Sequence, residues 1–109
     1  MILRIVLFRL RPDLSDYDSR LLLATIAGTV RSIPGIVSFN VGRRVDEGGA
    51  YTIGEPDAGT PQTEYEYAAV FQFENLKALQ DYLRHPAQKE LRSRFAAVVS
   101  AATTADYTM

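Results

Sequence analysis

Hydrophobic and polar residues alternate along this chain with two different periods, and these periods predict its strands and helices. The N-terminal run "ILRIVLFRL" (2–10) is rich in β-branched and large apolar residues, which is typical of a strand buried on both faces. Arg4 and Arg9 interrupt the run and no small-residue cleavage site follows it, so a strand is favoured over a signal peptide. Pro12 ends the predicted strand.

The next segment has the period of an amphipathic helix of about four to five turns. Ser15 begins "SDYD", which has the S-x-x-D spacing of a capping box, so Ser15 is the predicted N-cap. Pro34 and Gly35 end the helix. The positions predicted to face the core are Leu22, Leu23, Ile26, Ala27, Val30 and Ile33.

Two further strands are predicted on either side of a glycine-rich segment. In "IVSFNVGRRV" (36–45) the more apolar face is Val37, Phe39, Val41 and Arg43. The segment 46–62 holds four glycines and two prolines, which predicts a long loop, with a short hairpin around 51–53 as an option. In "TEYEYAAVFQF" (63–73) one face is formed by Tyr65, Tyr67, Ala69, Phe71 and Phe73.

The C-terminal third predicts a helix that is broken at His85-Pro86. Asn75 caps a first part that runs through Arg84, and Pro86 suits the first turn of a second part. The inward positions of the first part are Leu76, Leu79 and Leu83, and those of the second part are Leu91, Phe95, Val98 and Ala102. The last segment, "TTADYTM" (103–109), predicts a short final strand.

The order β-α-β-β-α-β predicts an α+β, ferredoxin-like fold with a four-stranded antiparallel sheet and both helices on one face. In this arrangement we expect the first strand to lie beside the third, and the last strand to lie beside the second. No helix covers the other face, and the first strand has apolar residues for both faces, since Leu3, Ile5 and Leu7 alternate with Arg4, Val6 and Phe8. A second copy of the sheet is the simplest cover, which predicts a homodimer.

Length and composition limit the function further. The chain has 109 residues, enough for one domain (1–109), and 47% of them are hydrophobic. The net charge of -1, without a long charge run, gives no indication of nucleic-acid or membrane partners. The absence of cysteine excludes disulfides and thiolate metal sites. A cytoplasmic location is the default expectation.

Several motifs together resemble the stress-responsive A/B barrel (Dabb) family. They are "MILRIVLFRLRP" at the start, "IPGIVSFNVGR" (33–43), "FENLKALQDYLRHPAQ" (73–88) and "ADYT" (105–108). The resemblance covers the chain apart from 46–62, and it implies a homodimer in which two sheets face each other as a barrel. Members of the family include plant stress-induced proteins and a polyketide cyclase, whose cavity lies between sheet and helices.

The resemblance also carries over to single positions. The pocket tyrosine of that cyclase falls on Tyr82 and the aspartate of its final motif on Asp106. Its two pocket histidines fall on Arg4 and Gln88, and His85 matches a histidine that is not the proposed base. That cyclase promotes an intramolecular aldol condensation. Because glutamine cannot take a proton at neutral pH, the resemblance implies the fold and the pocket more than this reaction.

Three polar residues are the candidates for chemistry, each with a structural alternative. His85 is a general acid or base, a haem ligand, or a cap at the helix break. Tyr82 is a phenol that polarises a ligand carbonyl, or a core residue with one hydrogen bond. Arg4 is a clamp for a carboxylate or enolate, or one half of a structural ion pair with Asp106. The predicted ligand contacts are Gln88, Asp106, Val6, Phe8, Leu23, Ile26 and Ala69.

Three functions follow from these residues. The first is a homodimeric Dabb protein that binds a small apolar, aromatic or acidic molecule between sheet and helices, without a cofactor or metal. The second is a cofactor-independent enzyme of the polyketide-cyclase or a related proton-transfer type, using Tyr82, His85 and Arg4. The third is a haem-binding monooxygenase with His85 as the axial ligand. A shared fold alone does not choose among them.

Overall fold

The computed structural model describes residues 1–45 and 65–109. The predicted loop at 46–62 and the hairpin at 51–53 lie outside these residues. The described elements are β1 (Ile2–Leu10), α1 (Asp16–Arg31), β2 (Ile36–Arg43), β3 (Tyr67–Phe73), α2 (Leu76–Arg84), α3 (Pro86–Val98) and β4 (Val99–Thr108). They form an α+β, ferredoxin-like fold, as predicted. No helix among these residues is long and apolar enough to cross a membrane.

The sheet has the strand order β2-β3-β1-β4, and every neighbouring pair is antiparallel. The prediction that the last strand lies beside the second was therefore wrong, because β4 pairs with β1 along its whole length. Each β-α-β crossover joins two parallel strands and leaves a gap of one strand between them. The two units interleave, so β3 fills the gap between β1 and β2, and β1 fills the gap between β3 and β4.

The predicted caps form as the sequence indicates. The Ser15 hydroxyl accepts a hydrogen bond from the Asp18 backbone N–H at 3.1 Å, and the Asn75 side chain accepts one from the Ala78 N–H at 2.9 Å. Gly35 has a φ of +91°, a conformation that L side chains rarely adopt, and it turns the chain from α1 into β2.

The core lies between the inner sheet face and the three helices. Its largest fully buried side chains are Phe73 and Val30. The remaining buried hydrophobic residues are Ile2, Phe8, Leu10, Ile33, Phe39, Ala69, Phe71, Leu79, Tyr82 and Leu91. These positions confirm the inner face predicted for β3 and the inward stripe predicted for α1.

Three inward positions were predicted incorrectly. Val37 is 56% exposed, because the β2–β3 register shifts between Ile36 and Ser38 and Ile36 takes the inner position instead. Leu83 is 44% exposed, and Leu76 is also exposed. At 100° per residue it lies about 90° from the centre of the stripe that buries Leu79 and Tyr82.

Ala102 was predicted on the last helix but lies in β4. The helix ends at Val98 and the strand begins at Val99 without an intervening loop, with the Val99 N–H bonded to the Phe95 carbonyl. The final strand is therefore longer than predicted. The alanines of "SAATTA" are compatible with a helix or a strand, and pairing with β1 stabilises the strand.

The other sheet face carries a row of half-buried apolar residues. Leu3, Ile5 and Leu7 alternate with the inward residues of β1. Ile5 lies between Val70 of β3 and Ala105 of β4 in the strand register. Because strand side chains alternate between the two faces, these residues point away from the helices.

Candidate ligand cavity

A cavity of about 440 Å³ lies between the inner sheet face and the helices. It brings together eight of the ten predicted site residues, from all three helices and from strands β1 and β3. These eight are Arg4, Val6, Phe8, Leu23, Ile26, Ala69, Tyr82 and Gln88. His85 and Asp106 are not among the lining residues, although Asp106 contacts one of them.

Tyr82 is the buried polar residue of this cavity, with 4% of its surface exposed. Its ring packs edge-on against Phe71 and Phe73, with centroid distances of 5.6 and 5.3 Å. These contacts fix the direction of the phenol. Burial raises the pKa of Tyr82, while the nearby Arg4 charge and a hydrogen bond with the Gln88 side chain oppose part of that rise. Tyr82 is therefore a neutral phenol at physiological pH.

Arg4 lies opposite Asp106 in the β1–β4 register, and the two side chains form an ion pair at 3.4 Å. Its side chain is 17% exposed, whereas that of Asp106 is 38% exposed. The pair holds the guanidinium at the cavity, close enough to Tyr82 to influence its pKa. Asp106, Arg4, Tyr82 and Gln88 thus form a polar row from the edge strand to α3.

His85 forms the cap at the helix break, which is the structural alternative. Its Nδ1 accepts a hydrogen bond from the Ala87 backbone N–H at 3.1 Å, and the backbone N–H of His85 donates to the Tyr82 carbonyl. An Nδ1 that accepts carries no proton, so the neutral ring has its proton on Nε2. Ligation of a metal through Nε2 would require the cap to break, because ligating histidines usually donate through the other nitrogen.

Sequence reasoning missed several residues of the cavity. Arg92 follows Gln88 by one helical turn on α3, and Thr104 lies opposite Val6 in the β1–β4 register. The helical spacing from Gln88 could have identified Arg92. Thr104 depends on the β1–β4 pairing, which local sequence patterns do not contain.

The lining is suited to binding and polarising a ligand. Its apolar walls surround a neutral phenol, two guanidinium groups, an amide and a hydroxyl. No carboxylate or histidine is among the described lining residues, so the lining itself supplies no general base. Within 1–45 and 65–109, no group of three or more His, Asp or Glu side chains could hold a metal ion.

Replacing Tyr82 by phenylalanine is expected to reduce the fall in the free energy of unfolding at alkaline pH. A buried phenol with a raised pKa keeps its proton above pH 10.0, where the unfolded chain loses it, so the free energy of unfolding falls as pH rises through that range. Denaturant titrations at neutral pH and at about pH 11 test this at a fixed protein concentration.

The exposed Tyr17 provides the control for this comparison. The Tyr17→Phe variant should lose stability at alkaline pH as the wild type does. The lysines and arginines contribute equally to this loss in both proteins. An identical alkaline slope in the wild type and Tyr82→Phe would show that burial does not perturb the phenol.

Solved structures of other proteins have the same fold. A Dabb family protein from Mesorhizobium loti is 19% identical, with a TM-score of 0.76, and the match covers 99% of this chain and 95% of that chain. A hydroxynitrile lyase from Passiflora edulis is 16% identical, with a TM-score of 0.78, over 99% and 92% of the two chains. A dimeric ferredoxin-like protein from Thermobifida fusca is 16% identical, with a TM-score of 0.72, over 99% and 90%.

At these identities the likeness shows the fold alone. None of the curated proteins matches this chain in sequence. The family model of the Stress responsive A/B Barrel Domain, Dabb, matches residues 2–109. The match spans both β-α-β units and every cavity residue named above. The chain therefore belongs to the Dabb family.

Proposed function

We propose that this protein is a homodimer that binds a small, mostly apolar molecule carrying a hydrogen-bond acceptor. The observation that carries the proposal is the buried neutral phenol of Tyr82 in an otherwise largely apolar cavity. Small-molecule sites typically occupy about 300–1,000 Å³ and combine apolar walls with a few placed polar groups. The cavity of about 440 Å³ has both properties.

Tyr82 orients the ligand in this proposal. The Gln88 side chain lies close enough to Tyr82 to lower its pKa, and when the Gln88 amide donates to the phenol oxygen, the O–H of Tyr82 is left for the ligand. A ligand carbonyl that accepts a hydrogen bond from this O–H would lie near the Arg4 guanidinium. The walls formed by Val6, Phe8 and Ile26 then enclose the apolar body of the ligand.

The homodimer forms through the outer sheet face. Leu3, Ile5 and Leu7 give this face an apolar stripe along β1, and covering it with the same stripe of a second copy removes both from water. The structural relative from Thermobifida fusca is dimeric, which supports a dimer without saying which face forms it. The dimer stabilises the sheet that forms the floor of the cavity.

Two alternatives have less support from the geometry. A proton-transfer enzyme of the cyclase type needs a base, and the described lining offers only a neutral phenol, an amide and a hydroxyl beside its cations. A haem monooxygenase needs His85 as a ligand, but its Nδ1 is used as a helix cap and the residue lies outside the cavity lining. Cytoplasmic localisation stays a prediction.

Two adjacent alanines of α3 allow a matched test of the cavity. Ala96 lines it and Ala97 does not, and both are exposed. Titration of the isotope-labelled protein with naphthalene carboxamide, a neutral probe with a carbonyl acceptor, should give saturable NMR shifts at Tyr82 and Gln88. Ala96→Trp should weaken binding about tenfold or more by occupying the cavity, and Ala97→Trp should leave it unchanged.

Shifts that do not saturate, or that lie away from the cavity, would contradict the proposed binding site. Equal weakening by both tryptophan variants would also contradict it, because only one of them reaches the cavity. Circular dichroism of each variant confirms that the helix content is retained.

A further inference from the structure

The charge of the cavity lining indicates which kind of ligand the cavity would bind. This inference rests on the proposed function. Arg4 and Arg92 are the charged side chains among the described lining residues. No acidic side chain lines the cavity there to balance them. The lining is thus cationic although the whole chain has a net charge of -1.

The two arginines differ in their partners. Arg4 is paired with Asp106 at 3.4 Å. Arg92 has no carboxylate partner within the described parts of the chain, and its neighbour on α3, Glu90, is bonded to Arg94 at 2.8 Å. The polar row together with Arg92 therefore has about one uncompensated positive charge.

The position of Arg92 relates this charge to the proposed binding site. Arg92 follows Gln88 by four residues, so the two side chains lie on the same face of α3, one turn apart. Gln88 is half-buried and close enough to Tyr82 to lower its pKa, whereas Arg92 is exposed. The guanidinium is thus at the solvent side of the lining, where it can reach a charged group without being desolvated completely.

We propose that the ligand is an apolar monocarboxylate and that Arg92 is the residue that selects its charge. A single uncompensated guanidinium matches one negative charge, and its planar fork matches the two oxygens of a carboxylate. A phosphate monoester has about two negative charges at neutral pH and would leave one of them unbalanced. The apolar body lies inside the cavity, and the carboxylate is the hydrogen-bond acceptor of the proposed ligand, placed between Tyr82 and Arg92.

A matched pair of probes tests the selection by charge. Naphthalene carboxylate and naphthalene carboxamide have the same ring, and they differ in charge at the same position. The wild-type protein should bind the carboxylate about tenfold more tightly than the carboxamide, and the preference should shrink at about 1 M salt. Arg92→Gln should abolish this preference, so that the two probes bind with equal affinity.

Arg94→Gln is the control, because Arg94 is on the same helix but does not line the cavity. It should keep the full preference for the carboxylate. Equal affinity of the wild type for both probes, or a preference that persists in Arg92→Gln, would overturn the selection by Arg92 and leave the proposed function standing. If neither probe binds the wild type, the proposed function itself is overturned.

Discussion

Replacing Phe73 by alanine is expected to lower the free energy of unfolding by about 3–5 kcal/mol. Phe73 is fully buried, and its ring contacts those of Phe71 and Tyr82 at centroid distances of 6.1 and 5.3 Å. The truncation removes apolar contacts and leaves a cavity that the rigid sheet cannot close. Urea titration monitored by circular dichroism measures the change.

Leu76→Ala is the control for this variant. Leu76 is 56% exposed, so its truncation should change the free energy of unfolding by about 0.5 kcal/mol or less. A large loss in Leu76→Ala would show that the first turn of α2 is buried, contrary to the structure. A loss below about 1 kcal/mol in Phe73→Ala would contradict its central place in the core.

Replacing Ile5 by aspartate is expected to convert the proposed dimer into a monomer. Ile5 is at the middle of the outer apolar stripe, between Val70 and Ala105. A carboxylate buried there without a partner would cost several kcal/mol at each of two symmetric positions, which raises the dissociation constant at least about a thousandfold. Sedimentation velocity at micromolar concentration distinguishes the two states.

Ser93→Asp introduces the same charge at an exposed position of α3, away from the outer sheet face. This control should remain a dimer. Dissociation of both variants, or of neither, would mean that the outer face does not form the interface. A far-UV spectrum like that of the wild type is required of Ile5→Asp, so that loss of the dimer is separated from loss of the fold.

Local patterns predicted most of the elements. The β-branched run before Pro12 gave both ends of β1, and Ser15, Asn75 and His85-Pro86 marked the starts of the three helices. Each of these signals depends on residues within one turn or one strand, where capping and backbone geometry act directly.

What the sequence did not reveal depends on pairing between distant segments. The pairing of β1 with β4 places Asp106 against Arg4 and Thr104 beside Val6. These partners are about a hundred positions apart in the sequence, so no local pattern predicts their contact. The bulge that exposes Val37 also appears only once β2 is aligned with β3. Arg92 was missed because a charged residue on an exposed helix face looks like any solvated one.

For His85, the geometry favours the capping role that the residue type left open. A histidine before a proline at a helix break is compatible with capping, catalysis and ligation alike. The 3.1 Å hydrogen bond from the Ala87 N–H to Nδ1 uses the atom that distinguishes these roles. Tyr82, one turn earlier on α2, is the residue that reaches the cavity.

Native mass spectrometry of the freshly purified protein tests whether the proposed binding protein is a homodimer. At micromolar concentration we expect a species with twice the mass of the chain. A monomer at that concentration would contradict it, since the apolar stripe around Ile5 would then remain in water without a partner.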